Sequence, residues 1–135
     1  MAGIRVVFTI DSLKLGGAER VLLQWACWCR DEGWQVLVIT RQGSEKDAYQ
    51  VPEGVKRLVE PTLEPLFERL GWFAFPFRVM ALRHLLRCHR SDLCVGVTTL
   101  PAVKLLLATA GMSLRTVVSE RNYPPSKPPS LLWRW

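Results

Sequence analysis

The stretch from Ile4 to Cys29 constrains this chain more than any other. An apolar run rich in β-branched residues, IRVVFTI (4–10), leads into a turn, DSLKLGG (11–17), and then into an amphipathic run from Ala18 to Cys29. The first run lacks clean alternation, as expected of a strand buried on both faces of a parallel sheet. In the second, Ala18, Val21, Leu22, Trp25 and Cys29 recur at helical spacing and are expected to face inward, with Gly33 as the helix stop. The pattern is strand, glycine turn, helix. Gly16 and Gly17 are expected to supply the torsions of a tight turn and to keep side chains away from a ligand. The helix behind them points unpaired N–H groups and a positive dipole end at the turn. This spacing fits a cradle for a phosphate, or for a sugar close to one. It fits an ordinary strand-to-helix turn equally well.

The rest of the chain continues the alternation. QVLVIT (35–40) reads as a second strand and completes a β-α-β unit, a right-handed parallel crossover. Residues 41–54 are polar and turn-like, VKRLV (55–59) reads as a third strand, and Pro61 and Pro65 break the chain. The most apolar segment, LGWFAFPF (70–77), flows into an arginine-rich helix from Phe77 to Arg90. There Val79, Leu82, Leu86 and His89 share one face, while Arg83, Arg87 and Arg90 fall mostly elsewhere. DLCVGV (92–97) is a fourth strand. Thr98 and Thr99 are placed to cap a helix from about Pro101 to Ala110, stopped by Gly111. RTVVS (115–119) is a fifth strand. The expected fold is α/β, a Rossmann-like parallel sheet of about five strands with flanking helices. Residues 1–135 read as one domain.

Hydrophobic residues are 49% of the chain and charged ones 22%, which excludes a disordered chain. Lys and Arg outnumber acids 18 to 12, for a net charge of +6. Such an excess suits phosphorylated substrates, an anionic membrane surface or nucleic acid. No basic run with interleaved aromatics is present, so nucleic acid is not expected. Cys27, Cys29, Cys88 and Cys94 form no C-x-x-C pair, and His84 and His89 are not at zinc-site spacing from them. No metal site is expected, and the cysteines read as free buried thiols. No apolar stretch reaches the ~18–20 residues of a spanning helix. The aromatics of 70–77 beside Arg78, Arg83, Arg87 and Arg90 leave two readings for residues 70–90. One is a core helix with a solvated basic side; the other is a patch that meets an anionic membrane surface.

The segment Gly16-Gly17-Ala18-Glu19-Arg20-Val21-Leu22, with Ser12 and Leu13 before it, resembles the first loop of GT-B glycosyltransferases of the family 4 type. Ser119-Glu120-Arg121-Asn122, followed by Tyr123-Pro124, resembles the Ser-Glu-Arg-Asn-x-Pro of the same group. Gly33-Trp34-Gln35-Val36 is similar to its Gly-His-Glu-Val, and Ser91-Asp92 stands where it usually has Pro-Asp. The resemblance implies the N-terminal half of a GT-B fold, incomplete at its C-terminus, with the donor-binding C-terminal domain absent. It implies transfer of a sugar from a nucleotide donor to a lipid-linked or cell-envelope glycan, with the donor bound only when a second domain is present. No metal or other cofactor is implied, and no transfer by this chain alone. The implied location is cytoplasmic, with the inner face of the plasma membrane as the peripheral alternative.

Ligands of an open parallel sheet bind beyond the C-terminal ends of its strands. Loops 11–17, 40–43, 98–101 and 119–123 are expected to meet there. The candidate substrate-binding residues are Lys14, Gly16, Gly17, Glu19, Arg121 and Asn122, and the candidate catalytic residue is Glu120. Lys14 would help neutralise a diphosphate. Glu120 would bind an acceptor hydroxyl or place charge near the transferred sugar; alternatively it is a structural partner of Arg121. Relatives with a histidine after the corresponding strand leave the catalytic group open. Glu19 also has a purely structural use, because a carboxylate is favourable in a first helical turn. The competing class is a non-catalytic membrane-peripheral or anion-binding Rossmann-like module.

Overall fold

A computed structural model describes residues 3–43, 47–60 and 69–119. These residues form β1 (Arg5–Ile10), α1 (Gly17–Asp31), β2 (Gln35–Thr40), β3 (Val55–Val59), a 3₁₀ turn (Gly71–Ala74), α2 (Phe75–His89), β4 (Leu93–Val97), α3 (Thr99–Thr109) and β5 (Arg115–Ser119). All strand pairs are parallel and the order is β3-β2-β1-β4-β5. The expected α/β Rossmann-like sheet is therefore what the chain adopts. β1 is central: Val7 pairs with Leu37 of β2 on one side and with Cys94 of β4 on the other.

The alternation of side chains along a strand divides the core into two layers. Val6, Phe8 and Ile10 join Val36, Val38, Val95 and Val97 on one face, under Leu22, Leu23, Ala26 and Cys29 of α1. Val7, Leu37, Ile39 and Cys94 pack on the other face against Leu82 and Leu86 of α2 and Leu105 and Ala108 of α3. Gly96 makes the second contact close. A Cβ there would lie 2.9 Å from Ala102 Cα and 3.1 Å from Leu105 Cδ2, so α3 rides directly on the backbone of β4.

Several details differ from expectation. The buried stripe of α1 is Leu22, Leu23, Ala26 and Cys29, whereas Trp25 is exposed and Ala18 and Val21 are half-buried. Trp25 fits the apolar spacing, but the stripe that meets the sheet is rotated towards smaller side chains. Gly33 does stop α1, at φ +85°: its N–H donates to Arg30 O (2.9 Å) and the Trp34 N–H to Cys29 O (3.0 Å). α2 begins two residues earlier than expected, with Pro76 in its first turn, and His89 is exposed at its end. Arg83 is not a free basic group. Its guanidinium donates to Ala108 O (3.2 Å) and Ala110 O (2.6 Å) and so satisfies carbonyls left over at the end of α3. Cys29 and Cys94 are buried, but Cys27 is half-buried and Cys88 exposed, so the buried-thiol expectation holds for two of four. Desolvation pushes the Cys94 thiol up to about 11, which keeps it protonated and inert at neutral pH.

α3 starts at Thr99, not Pro101, and neither cap works as expected. Thr98 makes no side-chain capping bond; its backbone sits at φ 69°, ψ 169°, a region nearly reserved for glycine. Two backbone bonds hold it there: the Thr98 N–H donates to Ser119 O (2.9 Å), and Thr98 O accepts from Ala102 N–H (3.1 Å). A β-branched residue in this region stores roughly 1–3 kcal/mol. Thr98→Gly should therefore raise stability by ~1 kcal/mol after the entropy cost of glycine, read as a higher denaturant midpoint. A lower midpoint would show that the strain is not there.

A buried ion pair ties α3 to the end of β3. Lys104 Nζ lies 2.5 Å from Glu60 Oε1, with side chains 7% and 2% exposed. Glu60 follows β3, and its N–H extends the ladder to Thr40 O (2.8 Å). Removing one partner leaves an uncompensated buried charge. Lys104→Met should cost about 3–5 kcal/mol in a urea melt, and Lys104→Met with Glu60→Leu should recover most of it. A neutral single variant would contradict this pairing.

Candidate functional site

Because the strands are parallel, their C-terminal residues share one edge of the sheet. The turn 11–16 leaves β1 there, Arg41 leaves β2, Glu60 leaves β3, and Thr98 leaves β4. The order reverses between β1 and β4, which makes their C-terminal ends the switch point where such sheets bind ligands. β5 also ends on this edge, at Ser119, two strand spacings or about 10 Å from β1. Glu120, Arg121 and Asn122 lie outside the described residues.

Asp11, the first residue of the glycine turn, fixes this edge. Its carbonyl accepts from the N–H groups of Arg41 (3.1 Å) and Gln42 (3.0 Å). Its carboxylate accepts from Arg41 Nε (2.5 Å) and Nη2 (3.2 Å) and from Gln42 Nε2 (3.2 Å). The next layer belongs to Arg57 of β3, which pairs with Asp47 and donates to Thr40 Oγ1 (3.1 Å) and Gln42 O (3.2 Å). Leu13, fully buried, accepts from Ala48 N–H (2.9 Å) and Tyr49 N–H (3.3 Å), and the Tyr49 hydroxyl donates to Gly16 O (3.2 Å). The turn is thus pinned from both sides. Asp11, Arg57 and Tyr49 were not singled out by sequence; an acid directly after a central strand is a signal that could have found Asp11, and none marks the other two.

The glycine pair meets half of its expectation, open space without the turn torsions. Gly16 caps α1 in an extended conformation (φ −178°, ψ 163°), and neither Gly16 nor Gly17 has positive φ, so no tight-turn torsion requires them. Their value is space. A Cβ on Gly17 would meet nothing within 4 Å, while one on Gly16 would meet the Glu19 carboxylate. Glu19, in the first turn of α1, brings its carboxylate beside the Gly16 cap without making a capping hydrogen bond. The turn is open above Gly17, yet its anion-binding end faces a carboxylate of the chain itself. That arrangement suits a neutral, hydroxyl-bearing group better than a phosphate. Lys14 is exposed on the same turn, next to Leu15, which is 83% exposed.

On the α2/α3 side of this edge lies a hollow of about 260 Å³, lined by Arg41, Gly71, Trp72, Phe75, Arg78 and Leu100. Gly71 supplies its corner at φ +56°, a left-handed position that favours glycine. Sequence reading left the aromatics and Arg78 between a core helix with a basic side and a membrane-facing patch, and named loop 40–43 as an edge loop, without bringing them together. Another cleft, of about 350 Å³, opens at the opposite end of the strands among Arg5, Trp34, Lys56 and His89. It lies away from the switch point. Among the described residues no helix is long and apolar enough to cross a membrane.

Comparison with known proteins follows the same lines. No curated protein matches the chain. A glycosyltransferase crystal structure from Rickettsia africae ESF-5 is similar in fold, with a TM-score of 0.64 at 16% identity. The match covers 93% of this chain and 32% of that one, so the chain spans about a third of its length. The family model described as Glycosyltransferase Family 4 matches residues 15–135. With nearly the whole chain matched, from the glycine turn onwards, the chain belongs to Glycosyltransferase Family 4.

Proposed function

We propose that this chain is the acceptor-side domain of a glycosyltransferase that moves a sugar from a nucleotide donor to a lipid-linked or cell-envelope glycan. The observation that carries the reading is the pinned glycine turn at the switch-point edge, open above Gly17 and flanked by Glu19. An acceptor hydroxyl above Gly17 would find N–H donors at the start of α1 and an acceptor in the Glu19 carboxylate. Glu120, one residue beyond β5, supplies a further carboxylate for the acceptor hydroxyl or for charge near the transferred sugar. Arg121 and Asn122 follow it as substrate contacts, and Lys14 offers a cation to the donor diphosphate. The nucleotide sugar is held only when a donor domain closes over this edge, so the chain alone transfers nothing.

The second reading, a membrane-peripheral module, draws on a separate observation. Trp72, Phe73, Phe77 and Met80 are 72%, 81%, 56% and 66% exposed at the start of α2. Arg87 and Arg90, both exposed, lie at its other end. An apolar patch with a basic flank suits the surface of an anionic membrane. In the favoured reading this patch brings the domain to a lipid-linked acceptor.

The test uses the chain joined to a donor domain of the family and assayed for transfer from a nucleotide sugar. Gly17→Val should leave the fold intact, since Gly17 carries no special torsion, but fill the space above the turn. Its transfer rate should fall at least about tenfold, mainly through a higher acceptor KM. Glu120→Gln should lower kcat by roughly a hundredfold with little loss of stability. Full activity in both variants, or robust transfer by residues 1–135 alone, would overturn the proposal.

A further inference from the structure

The cleft of about 350 Å³ at the N-terminal ends of the strands carries chemistry that the switch-point edge does not use. Side chains alternate along a strand, so Arg5 lies on the face of Val7 and Gln35 on the face of Leu37. Lys56 pairs with Leu37 and shares that face. Three neighbouring strands thus present Arg5, Gln35 and Lys56 to one side, beside an apolar floor of Val7 and Leu37. Register and strand spacing put the Cα atoms of Arg5 and Lys56 about 12 Å apart, within the joint reach of two long side chains. His89 and Ser91, where the chain passes from α2 to β4, complete the wall. The backbone fixes this frame. The Asp92 N–H donates to Arg5 O (2.9 Å), the Arg5 N–H to Asp92 Oδ2 (2.9 Å), and the Gln35 N–H to Ile4 O (2.9 Å).

Among the described residues, neither the Arg5 guanidinium nor the Lys56 ammonium makes an ion pair, although Arg5 is half-buried. Asp92 is an acid beside the cleft, but its carboxylate serves the backbone of β1. Ser91 Oγ is buried with no nitrogen or oxygen partner, and only the Cys94 thiol, a weak partner, lies beside it. His89 has a structural use as well, because a basic side chain is favourable in the last turn of a helix. A solvated sheet end accounts for an exposed Lys56, but not for a half-buried guanidinium and a buried hydroxyl lining one concavity. Two cations match a dianion, and the arginine fork matches phosphate oxygens in geometry. Gln35 and Ser91 each offer a donor and an acceptor, which suit hydroxyl groups. The volume falls within the ~300–1,000 Å³ of small-molecule sites and leaves room beyond a phosphate. We infer that this cleft binds a small phosphorylated polyol, with Arg5 and Lys56 on the phosphate and Gln35 and Ser91 on the hydroxyls. It lies a strand's length, roughly 20 Å, from the switch-point edge, so its ligand is held apart from any sugar under transfer. The inference does not depend on the acceptor-side reading.

Titration of the full 135-residue chain with glycerol 3-phosphate, followed by amide chemical shifts in NMR, tests this. Inorganic phosphate and glycerol serve as parallel probes. Saturable shifts should map to Arg5, Gln35, Lys56 and 89–91, with a Kd on the order of 1 mM or tighter. Lys56→Gln, at an exposed position, and Arg5→Gln should each weaken binding about tenfold or more, the worth of one charge-assisted hydrogen bond. Ser91→Ala should weaken it severalfold without lowering the denaturant midpoint, since the hydroxyl has no oxygen or nitrogen partner to lose. Arg87→Gln removes an exposed charge on α2 outside the cleft and should leave binding unchanged. Glycerol should not bind, and inorganic phosphate should bind at least about threefold more weakly than the ester. Shifts confined to the glycine turn, equal binding of inorganic phosphate, or no saturation by roughly 20 mM ester would each overturn the inference. So would unchanged affinity in Lys56→Gln, or in Arg5→Gln with an unaltered circular dichroism spectrum. An Arg87→Gln loss as large as that of Lys56→Gln would also overturn it, because binding would then follow net charge alone.

Discussion

The ligand edge depends on β1 being hydrogen-bonded on both sides and buried on both faces. Its ladders to β2 and β4 set Thr9, Ile39 and Gly96 level, so that the loops after three neighbouring strands emerge together. Asp11 turns that alignment into a fixed geometry. Five hydrogen bonds tie its carbonyl and carboxylate to Arg41 and Gln42, at the only place where the chain leaves β1 for the glycine turn. A carboxylate here is stabilised because a guanidinium meets it side-on, with two parallel N–H bonds. Shift β1 by one residue and every inward side chain changes face, and the turn with it.

The edge divides into two chemically different halves. Above Gly17 there is space, N–H dipole and a carboxylate, which together suit hydroxyl groups. Beside Trp72 there is a hollow walled by Arg41, Arg78, two aromatic rings and Leu100. Strain lies between them, at Thr98, on the connection from β4 to α3. Backbone in such a region persists only where its surroundings hold it, and here the Ser119 and Ala102 hydrogen bonds do so.

The strands and their parallel order were legible because long β-branched runs, broken by glycine turns and helical patterns, admit few alternatives. Ser119 at the end of β5 was also legible as an edge residue, since parallel strands end on one side. The face of α1 was not. Trp25 counts as apolar in any periodic reading, yet it stays 36% exposed while Ala26 is fully buried against the sheet. Of the two reasons that sequence offers for the glycine pair, torsion and space, the structure uses only space, and only above Gly17. The Lys104–Glu60 pair spans 44 residues, and no local pattern announces a lysine that faces inward on an apolar helix. Arg83 looked like part of a basic surface because its partners are backbone carbonyls, which a sequence does not display. The hollow joins residues from three separate segments, and only the fold brings them together.

The most direct measurement is a crystal structure of the chain joined to a donor domain of its family, with a nucleotide sugar bound. The account predicts the sugar at the C-terminal ends of β1 and β4, facing Gly17 and Thr98. A sugar bound instead in the cleft at the opposite end of the strands, among Arg5, Lys56 and His89, would contradict it.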